Sequence, residues 1–306
     1  MNPLQNSPLV SIVTPSFQQA DYLLETLESV ARQTYPHIEH LVMDGGSKDG
    51  SVDILKSFAA GRPKERFQWW SERDKGQADA INKGLARSKG RILAYLNSDD
   101  TYEPETVSTI VDYFRTHPDD AFVHGQGFHV TAEGHLLHPY PSRPCGHREL
   151  GEYCYVCQPT AFWRREVYEE IGGFNPDLNY GLDYEYWIRL SLRFSMGYIH
   201  QHLASTRLHE EAKTVGQRRK MHQEIVGIVH RHYGRVSPHW IYSLANAAER
   251  IERLRQAPAP FRWLYPPCFC MLAGAYFLKW NRKIPLREFR RFLEYRGGKR
   301  QQDILR

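Results

Sequence analysis

Apolar and polar positions alternate in two rhythms along the first half of the chain. Leu9-Val10-Ser11-Ile12-Val13-Thr14-Pro15 is a short apolar run stopped by a proline, the pattern of a buried strand. From Asp21 to Gln33 the apolar residues Leu23, Leu24, Leu27 and Val30 recur with a helical period, and Pro36 ends that segment. Ile38–Met43 predicts a second strand, and Ser51–Phe58 a second helix with Ser51 as its N-cap. Strand, helix and strand follow again at Phe67–Trp70, Asp79–Ser88 and Arg91–Leu96. Such repetition predicts βαβ units and a parallel sheet flanked by helices.

Beyond these, the pattern predicts a helix over Glu103–Thr116 with Pro104 in its first turn, and a strand over Ala121–Gly125. A loop over Gly134–Leu150 carries Pro139, Pro141 and Pro144, and its His135, His138 and His147 read as surface residues. Helices at Arg165–Ile171 and Gly181–Leu190 and a strand at Tyr198–His200 complete this half. Further helices are predicted over Arg218–Tyr233 and Pro238–Gln256.

Three of the strands close on acids: Asp44, then Asp74 with Lys75, then Asp99 with Asp100. One acidic strand end is an ordinary turn. Three in one open α/β sheet, where ligands sit off the carboxyl ends of the strands, point to a site for a nucleotide and a metal. Paired carboxylates suit a hard cation, Mg²⁺ or Mn²⁺, shared with substrate phosphates. The Gly-x-Gly-x-x-Gly fingerprint of dinucleotide-binding folds is absent.

Four segments, taken in order, carry a family resemblance: Val10-Ser11-Ile12-Val13-Thr14-Pro15-Ser16-Phe17, Asp44-Gly45-Gly46-Ser47-Lys48-Asp49-Gly50, Asp74 to Gly84, and Asn97-Ser98-Asp99-Asp100. With them the chain resembles a family 2 glycosyltransferase of the GT-A fold over about residues 8–215. The resemblance implies a Rossmann-like, mostly parallel sheet and transfer of a sugar from a nucleoside-diphosphate sugar, a UDP-sugar first among them, with inversion at the anomeric carbon. It places Thr14, Pro15 and Ser16 in the nucleotide pocket, Asp44 on the base, Asp74 and Lys75 near the nucleotide or its diphosphate, and Asn97 and Ser98 beside the donor. Asp99 and Asp100 become metal ligands for Mn²⁺ or Mg²⁺. The pattern departs from a strict Asp-x-Asp because its first acid is Asn97, whose amide oxygen accepts without charge.

The same resemblance reads Gly181-Leu182-Asp183 as the segment that supplies the general base, with Asp183 deprotonating the acceptor hydroxyl. A first-turn acid favoured by the helix dipole is the other reading of Asp183. Arg207-Leu208-His209 matches a segment in which the histidine contacts metal or diphosphate. His209 is therefore a candidate metal ligand, against the alternative of a surface histidine.

Composition adds a boundary. With 41% hydrophobic and 25% charged residues over 306 positions, the chain reads as a soluble globular enzyme. Its first residues carry no signal-peptide pattern, which places it in the cytoplasm. Five cysteines, an odd number, argue against a disulfide framework, and Cys154-x-x-Cys157 has no second pair to complete a zinc site. The net charge of +5 hides an asymmetry: residues 261–306 hold 11 Lys/Arg against 3 Asp/Glu, whereas residues 1–260 are net acidic. Residues 1–215 thus read as a catalytic domain and 216–306 as a helical, basic extension. Within it Trp263–Leu278 bears no formal charge and is cut by Pro266-Pro267. This stretch is short for a membrane span. It predicts peripheral attachment of residues 261–306 to an anionic inner membrane face, or else a buried hairpin or an oligomer contact. Nucleic acid is excluded as a partner because no binding module accompanies the charge. The expected acceptor is a glycan or lipid-linked glycan. The rival expectations are a nucleotidyltransferase, disfavoured because no Gly-rich phosphate loop follows Val13, and a catalytically silent nucleotide-sugar-binding scaffold, kept open by Asn97.

Overall fold

The chain alternates β1 (Val10–Ser16), α1 (Ala20–Ala31), β2 (Ile38–Asp44), α2 (Ser51–Ala59), β3 (Phe67–Ser71), α3 (Gln77–Arg87) and β4 (Ile92–Tyr95) in a computed structural model that describes residues 7–209, 217–258, 261, 263–288 and 290. There follow β5 (Thr101–Tyr102), α4 (Thr106–Thr116), β6 (Phe122–Val130), β7 (Leu136–Pro139), α5 (His147–Leu150), β8 (Phe162–Arg164), α6 (Arg165–Ile171), α7 (Leu182–Ser191) and β9 (Met196–Arg207). Four helices remain: α8 (Arg218–Tyr233), α9 (Pro238–Asn246), α10 (Glu249–Gln256) and α11 (Tyr265–Asn281). The chain divides into two compact units, residues 1–147 with 155–210 and residues 148–154 with 211–306.

The first unit is built on one sheet with strand order β3-β2-β1-β4-β8-β6-β9-β5, and β7 lies on β6. β3, β2, β1 and β4 run parallel. β8 turns antiparallel between β4 and β6, and β6 and β9 are parallel again. β1 lies between β2 and β4, so the chain crosses over in opposite directions on either side of it. That is the switch point where an open sheet leaves a crevice off its carboxyl edge. Register sets Ser16, Asp44 and Ser71 level along that edge.

Both sheet faces are covered. Val10, Ile12, Ile92 and Ala94 join Val107, Ile110, Val111 and Phe114 of α4 in one apolar cluster, and Leu23, Leu27, Val42, Leu55 and Phe58 form another under α1 and α2. On the opposite face α3 packs so closely that a Cβ at Gly84 would meet Val13 Cγ1 at 2.3 Å. Only a residue without a side chain allows that approach. Polar groups are buried within the sheet layer as well. Ser11 donates to Glu39 Oε1, which also accepts the amides of Lys89 and Gly90 and so fixes the turn into β4.

Several boundaries differ from the sequence expectation. The loop at 134–150 contains strand β7, all four of whose residues are exposed, which is why no alternation marked it. α4 begins at Thr106, two residues past Pro104. Gly50, at φ +104°, precedes α2, and the Ser51 hydroxyl donates to Asp49 in place of capping the helix. The last strand runs for 12 residues, to Arg207.

In the second unit the stretch expected as one helix over 238–256 breaks at Ala247-Ala248. Ser237 caps α9, accepting from Trp240 N, with Pro238 in the first turn. Segment 148–154 belongs here: Ser237 Oγ donates to Glu152 O, and Tyr153 stacks on Trp240. Pro266 and Pro267 fall in the first turn of α11, where backbone N–H groups have no helical partner, so they start the helix and do not interrupt it. Among the described residues no helix is long and apolar enough to cross a membrane.

Two histidines of the first unit, His40 and His124, are buried, and loss of hydration pushes both pKa values down to about 3. The unfolded chain takes up those protons near pH 6.5, so the fold loses stability as pH falls below that value, by about 1.4 kcal/mol per pH unit for each group. His40→Gln is therefore expected to lose stability less steeply than wild type between roughly pH 6 and pH 4.5, by about 1.4 kcal/mol per pH unit in urea denaturation. Equal slopes would contradict a neutral, buried His40.

Candidate active site

The turn after β4 is the centre of the site. Asp99 is 21% exposed through its side chain, and its Oδ2 lies 3.0 Å from Nε2 of His209, which is 5% exposed. Asp100, next in sequence, is buried. Its Oδ1 accepts from the Arg207 amide at 3.1 Å and its Oδ2 from Asn97 Nδ2 at 3.1 Å. Burial first, and the Asp99 charge second, push its carboxyl up to about 7. Two adjacent acids thus have different surroundings. Asp99 faces the crevice with a histidine beside it, whereas Asp100, expected as a second metal ligand, has both oxygens engaged by protein donors.

Asn97, the departure from the acidic pattern, is equally occupied. Its Oδ1 accepts from Gln77 Nε2 at 2.8 Å, and its Nδ2 donates to Asp100 and to Gln158 Oε1. Gln158 in turn donates to the Tyr95 carbonyl. The amide ties the start of α3, the end of β4 and the segment before β8 into one network. A carboxylate there could not donate at all. Ser98, between them, is buried.

Two residues of α1 and one just past its end hold the same turn. Thr26 Oγ1 donates to the Asp100 carbonyl, Ser29 Oγ accepts the Tyr102 amide, and Gln33 Nε2 donates to the Glu103 carbonyl. Next to Thr26, Glu25 pairs with Arg207 at 2.5 Å, and one turn earlier the Tyr22 ring lies 4.8 Å from that of His209. Arg207 further donates to the carbonyls of Asp99, Thr131 and Ala132. None of Tyr22, Glu25, Gln77, Gln158 or Arg207 was expected from the sequence to serve this site, because each acts through a neighbour distant in the chain.

At the end of β2, Asp44 is buried and organises its own loop. Its Oδ2 accepts from the amides of Gly46 and Ser47 and from Ser71 Oγ, and its Oδ1 from Ser47 Oγ. The adjacent Ser16 hydroxyl is buried with no hydrogen-bond partner among the described residues. Thr14, expected in the nucleotide pocket, is buried in β1 with its hydroxyl 2.9 Å from His40 Nε2, and Pro15 is buried beside it. Phe17 was not singled out, yet its ring is 60% exposed just past Ser16. A Cβ at Gly45 would meet Asp74 Oδ2 at 2.8 Å and Phe17 Cδ2 at 3.1 Å, so Gly45 lets the Asp74 carboxylate and that ring close over the loop. Asp74 also accepts the Gly76 amide, while the Lys75 side chain is exposed.

Asp183 lies in the first turn of α7, partly exposed, with Oδ1 accepting the Tyr184 amide. Glu185, two residues on, is buried and bound to Arg189 at 2.8 Å. Arg189 also donates to the carbonyls of Ile171 and Gly173. Asn82 of α3 clamps the same turn, bonding both the amide and the carbonyl of Phe174. The turn leading to α7 is therefore fixed from two sides. Of its two first-turn acids, only Asp183 reaches solvent.

A divalent cation fits the donor set at Asp99. Among the described residues no three His, Cys, Asp or Glu side chains converge on one point. One carboxylate and one imidazole would leave most of the coordination sphere of such a cation to other oxygen donors.

Residues 11–172 match the profile of Glycosyl transferase family 2, just over half of the chain, and the chain belongs to that family. It is 29% identical to the chondroitin synthase of Escherichia coli over 188 residues, which are 61% of this chain and 27% of that protein. It is 37% identical over 107 residues to TuaG of Bacillus subtilis, a putative teichuronic acid biosynthesis glycosyltransferase, covering 35% of this chain and 42% of the relative. The chain thus spans less than half the length of either relative. The TarS structure from S. aureus with UDP-GlcNAc superposes with a TM-score of 0.59 at 14% identity, over 87% of this chain and 81% of that one. The mannosyltransferase PcManGT of Pyrobaculum calidifontis, in complex with GDP-Man and Mn²⁺, gives 0.59 at 18% identity over 97% and 87%. These likenesses establish the mixed α/β GT-A fold and its helical C-terminal region.

The Asn97 network yields a prediction opposite to the simple one. Restoring the acidic pattern with Asn97→Asp sets a carboxylate against Asp100 and Gln158 in place of two donated bonds. Stability should fall by about 2–4 kcal/mol at neutral pH. Urea denaturation tests this, and an unchanged midpoint would show that the amide is dispensable.

Proposed function

We propose that this chain transfers a glycosyl group from a nucleoside-diphosphate sugar to a hydroxyl of a glycan or lipid-linked acceptor in cell-envelope polysaccharide assembly, with inversion at the anomeric carbon. The observation that carries the reading is the pairing of Asp99 with His209 at the carboxyl edge of the sheet, held by buried Asp100 and Arg207. Support for the donor class comes from TarS with UDP-GlcNAc and from PcManGT with GDP-Man and Mn²⁺. The names of the chondroitin synthase and TuaG support an envelope glycan as product.

Asp99 and His209 would hold the cation, Mn²⁺ or Mg²⁺. When bound, such an ion offsets the charge that accumulates on the departing diphosphate. The exposed Lys75 ammonium adds positive charge beside Asp74. The nucleoside would sit along the edge from Ser16 to Asp44: the unpartnered Ser16 hydroxyl offers a hydrogen bond, and the remaining acceptor capacity of Asp44 Oδ1 suits a base N–H such as that of uracil. Thr14 and Pro15 would support this edge from within the sheet, with Asn97 and Ser98 supporting the turn that meets the donor.

Asp183 is the proposed general base. It takes the proton of the acceptor hydroxyl as that oxygen bonds to the anomeric carbon, and the bond from that carbon to the diphosphate oxygen breaks on the opposite face. The nucleoside diphosphate leaves with the bonding pair. Residues 1–215 would constitute the catalytic domain and 216–306 a basic extension, with the protein working in the cytoplasm at the inner membrane face.

With Mn²⁺ present, a UDP-, GDP- or dTDP-sugar is expected to raise the melting temperature, and Asp99→Ala to abolish that shift. Asp183→Asn should keep the shift and lower nucleoside diphosphate release with acceptor by about 10²–10⁴-fold. Normal turnover of Asp183→Asn would remove it as base. Failure of every donor to bind would favour a silent scaffold.

A further inference from the structure

α11 is apolar on both sides. Tyr265, Phe269, Ala273 and Phe277, at successive helical turns, are buried. Phe269 and Phe277 pack on Tyr242 of α9, and Tyr265 donates to Asn246. That face accounts for the folding of the second unit. The opposite stripe is Met271, Ala275 and Leu278, spaced by four and three residues and all exposed, Met271 at 76%. Phe261 and Trp263 before the helix and Leu286 after it are exposed as well. Among the described residues ten large hydrophobic side chains are exposed, and five of them fall between 261 and 286. A single exposed apolar residue needs no explanation, but this clustering on one segment does.

Charge identifies the occupant. Lys279, Arg282, Lys283, Arg287 and Arg290 are exposed around the C-terminal end of the stripe. The one acid between 263 and 290, Glu288, is 0% exposed, accepts from Tyr242 and pairs with Arg287, so this stretch presents exposed cations and no exposed acid. A second copy of the chain, docked by this face about a two-fold axis, would set these cations against their own equivalents. An anionic lipid surface meets both demands. Its headgroups attract the Lys and Arg side chains, and the acyl boundary takes Met271, Leu278 and Trp263.

We propose that the outward face of α11 docks on an anionic phospholipid bilayer, lying in the interface plane. Seventeen residues give a helix about 25 Å long, enough to lie along the surface. The exposed tryptophan ahead of it suits the headgroup boundary. Docking makes the partner of the basic extension a membrane and thereby favours a lipid-linked acceptor. Vesicle binding is read without donor or turnover, so its failure is distinguishable from failure of the glycosyltransferase reading.

The test is co-sedimentation of the full chain with phosphatidylcholine vesicles containing about 30% phosphatidylglycerol, and with pure phosphatidylcholine vesicles. The wild type should bind the anionic vesicles at least tenfold more tightly than the neutral ones and lose that advantage in about 0.5 M salt. Met271→Asp/Leu278→Asp and, separately, Lys279→Glu/Arg282→Glu should each weaken binding at least tenfold, with helical circular dichroism and donor-induced thermal shift unchanged. Absence of wild-type binding overturns the proposal, as does full binding by the Met271→Asp/Leu278→Asp variant. So does a wild-type dimer that this variant converts to monomer without any vesicle binding by the wild type.

Discussion

A buried guanidinium holds the candidate site together. Arg207 ends β9, the longest strand, and its side chain is almost wholly enclosed. It has five N–H donors fixed in a plane and no way to shed its charge. Carbonyls from the turn after β4 and from the segment after β6 receive those donors, and Glu25 of α1 supplies the counter-charge. Three parts of the chain, each 75 residues or more from Arg207 in sequence, are thereby set in one geometry. His209 follows two residues on, so the position of the imidazole beside Asp99 depends on how firmly that guanidinium is held.

The two neighbouring acids show how environment divides labour between like groups. Asp99 and Asp100 are chemically the same, yet one is turned to the crevice and the other is enclosed among donors. The raised pKa of Asp100 follows from that enclosure and from the charge next door. A cation beside Asp99 would relieve part of this repulsion, so the pair is more comfortable with a positive ion present than without one. Asn97 belongs to the same balance. A third acid in the turn would have added charge where the fold already confines two, and the amide contributes the donors that the enclosed carboxylate needs.

Much of this was legible in the order of residues. Strand ends and acids coincide because the parallel sheet buries continuous apolar runs and leaves polar residues only at its edge, so β1 to β4 and Asp44, Asp74 and Asp99 could be read directly. β7 could not be read, because an exposed two-stranded edge imposes no alternation on its residues. The break between α9 and α10 was hidden, since Ala247-Ala248 favours helix locally. The supporting residues were the least visible. Thr26, Ser29 and Gln33 look like the ordinary polar side of an amphipathic helix, and the turn they grip lies 70 to 74 positions away in sequence. Glu185, the other acid in the first turn of α7, is accounted for by its pairing with Arg189.

The division of the chain has a bearing on how such proteins can be recombined. The second unit begins soon after His209, yet it also claims residues 148–154 from the middle of the first. Glu152 receives the Ser237 hydroxyl, and Tyr153 stacks on Trp240. A crossover at one point near residue 210 would therefore deliver a foreign C-terminal half without the short internal segment against which its own capping serine and tryptophan are built. Exchange of this extension between relatives requires two matched junctions, so the extension and residues 148–154 should be inherited together as one interlaced module.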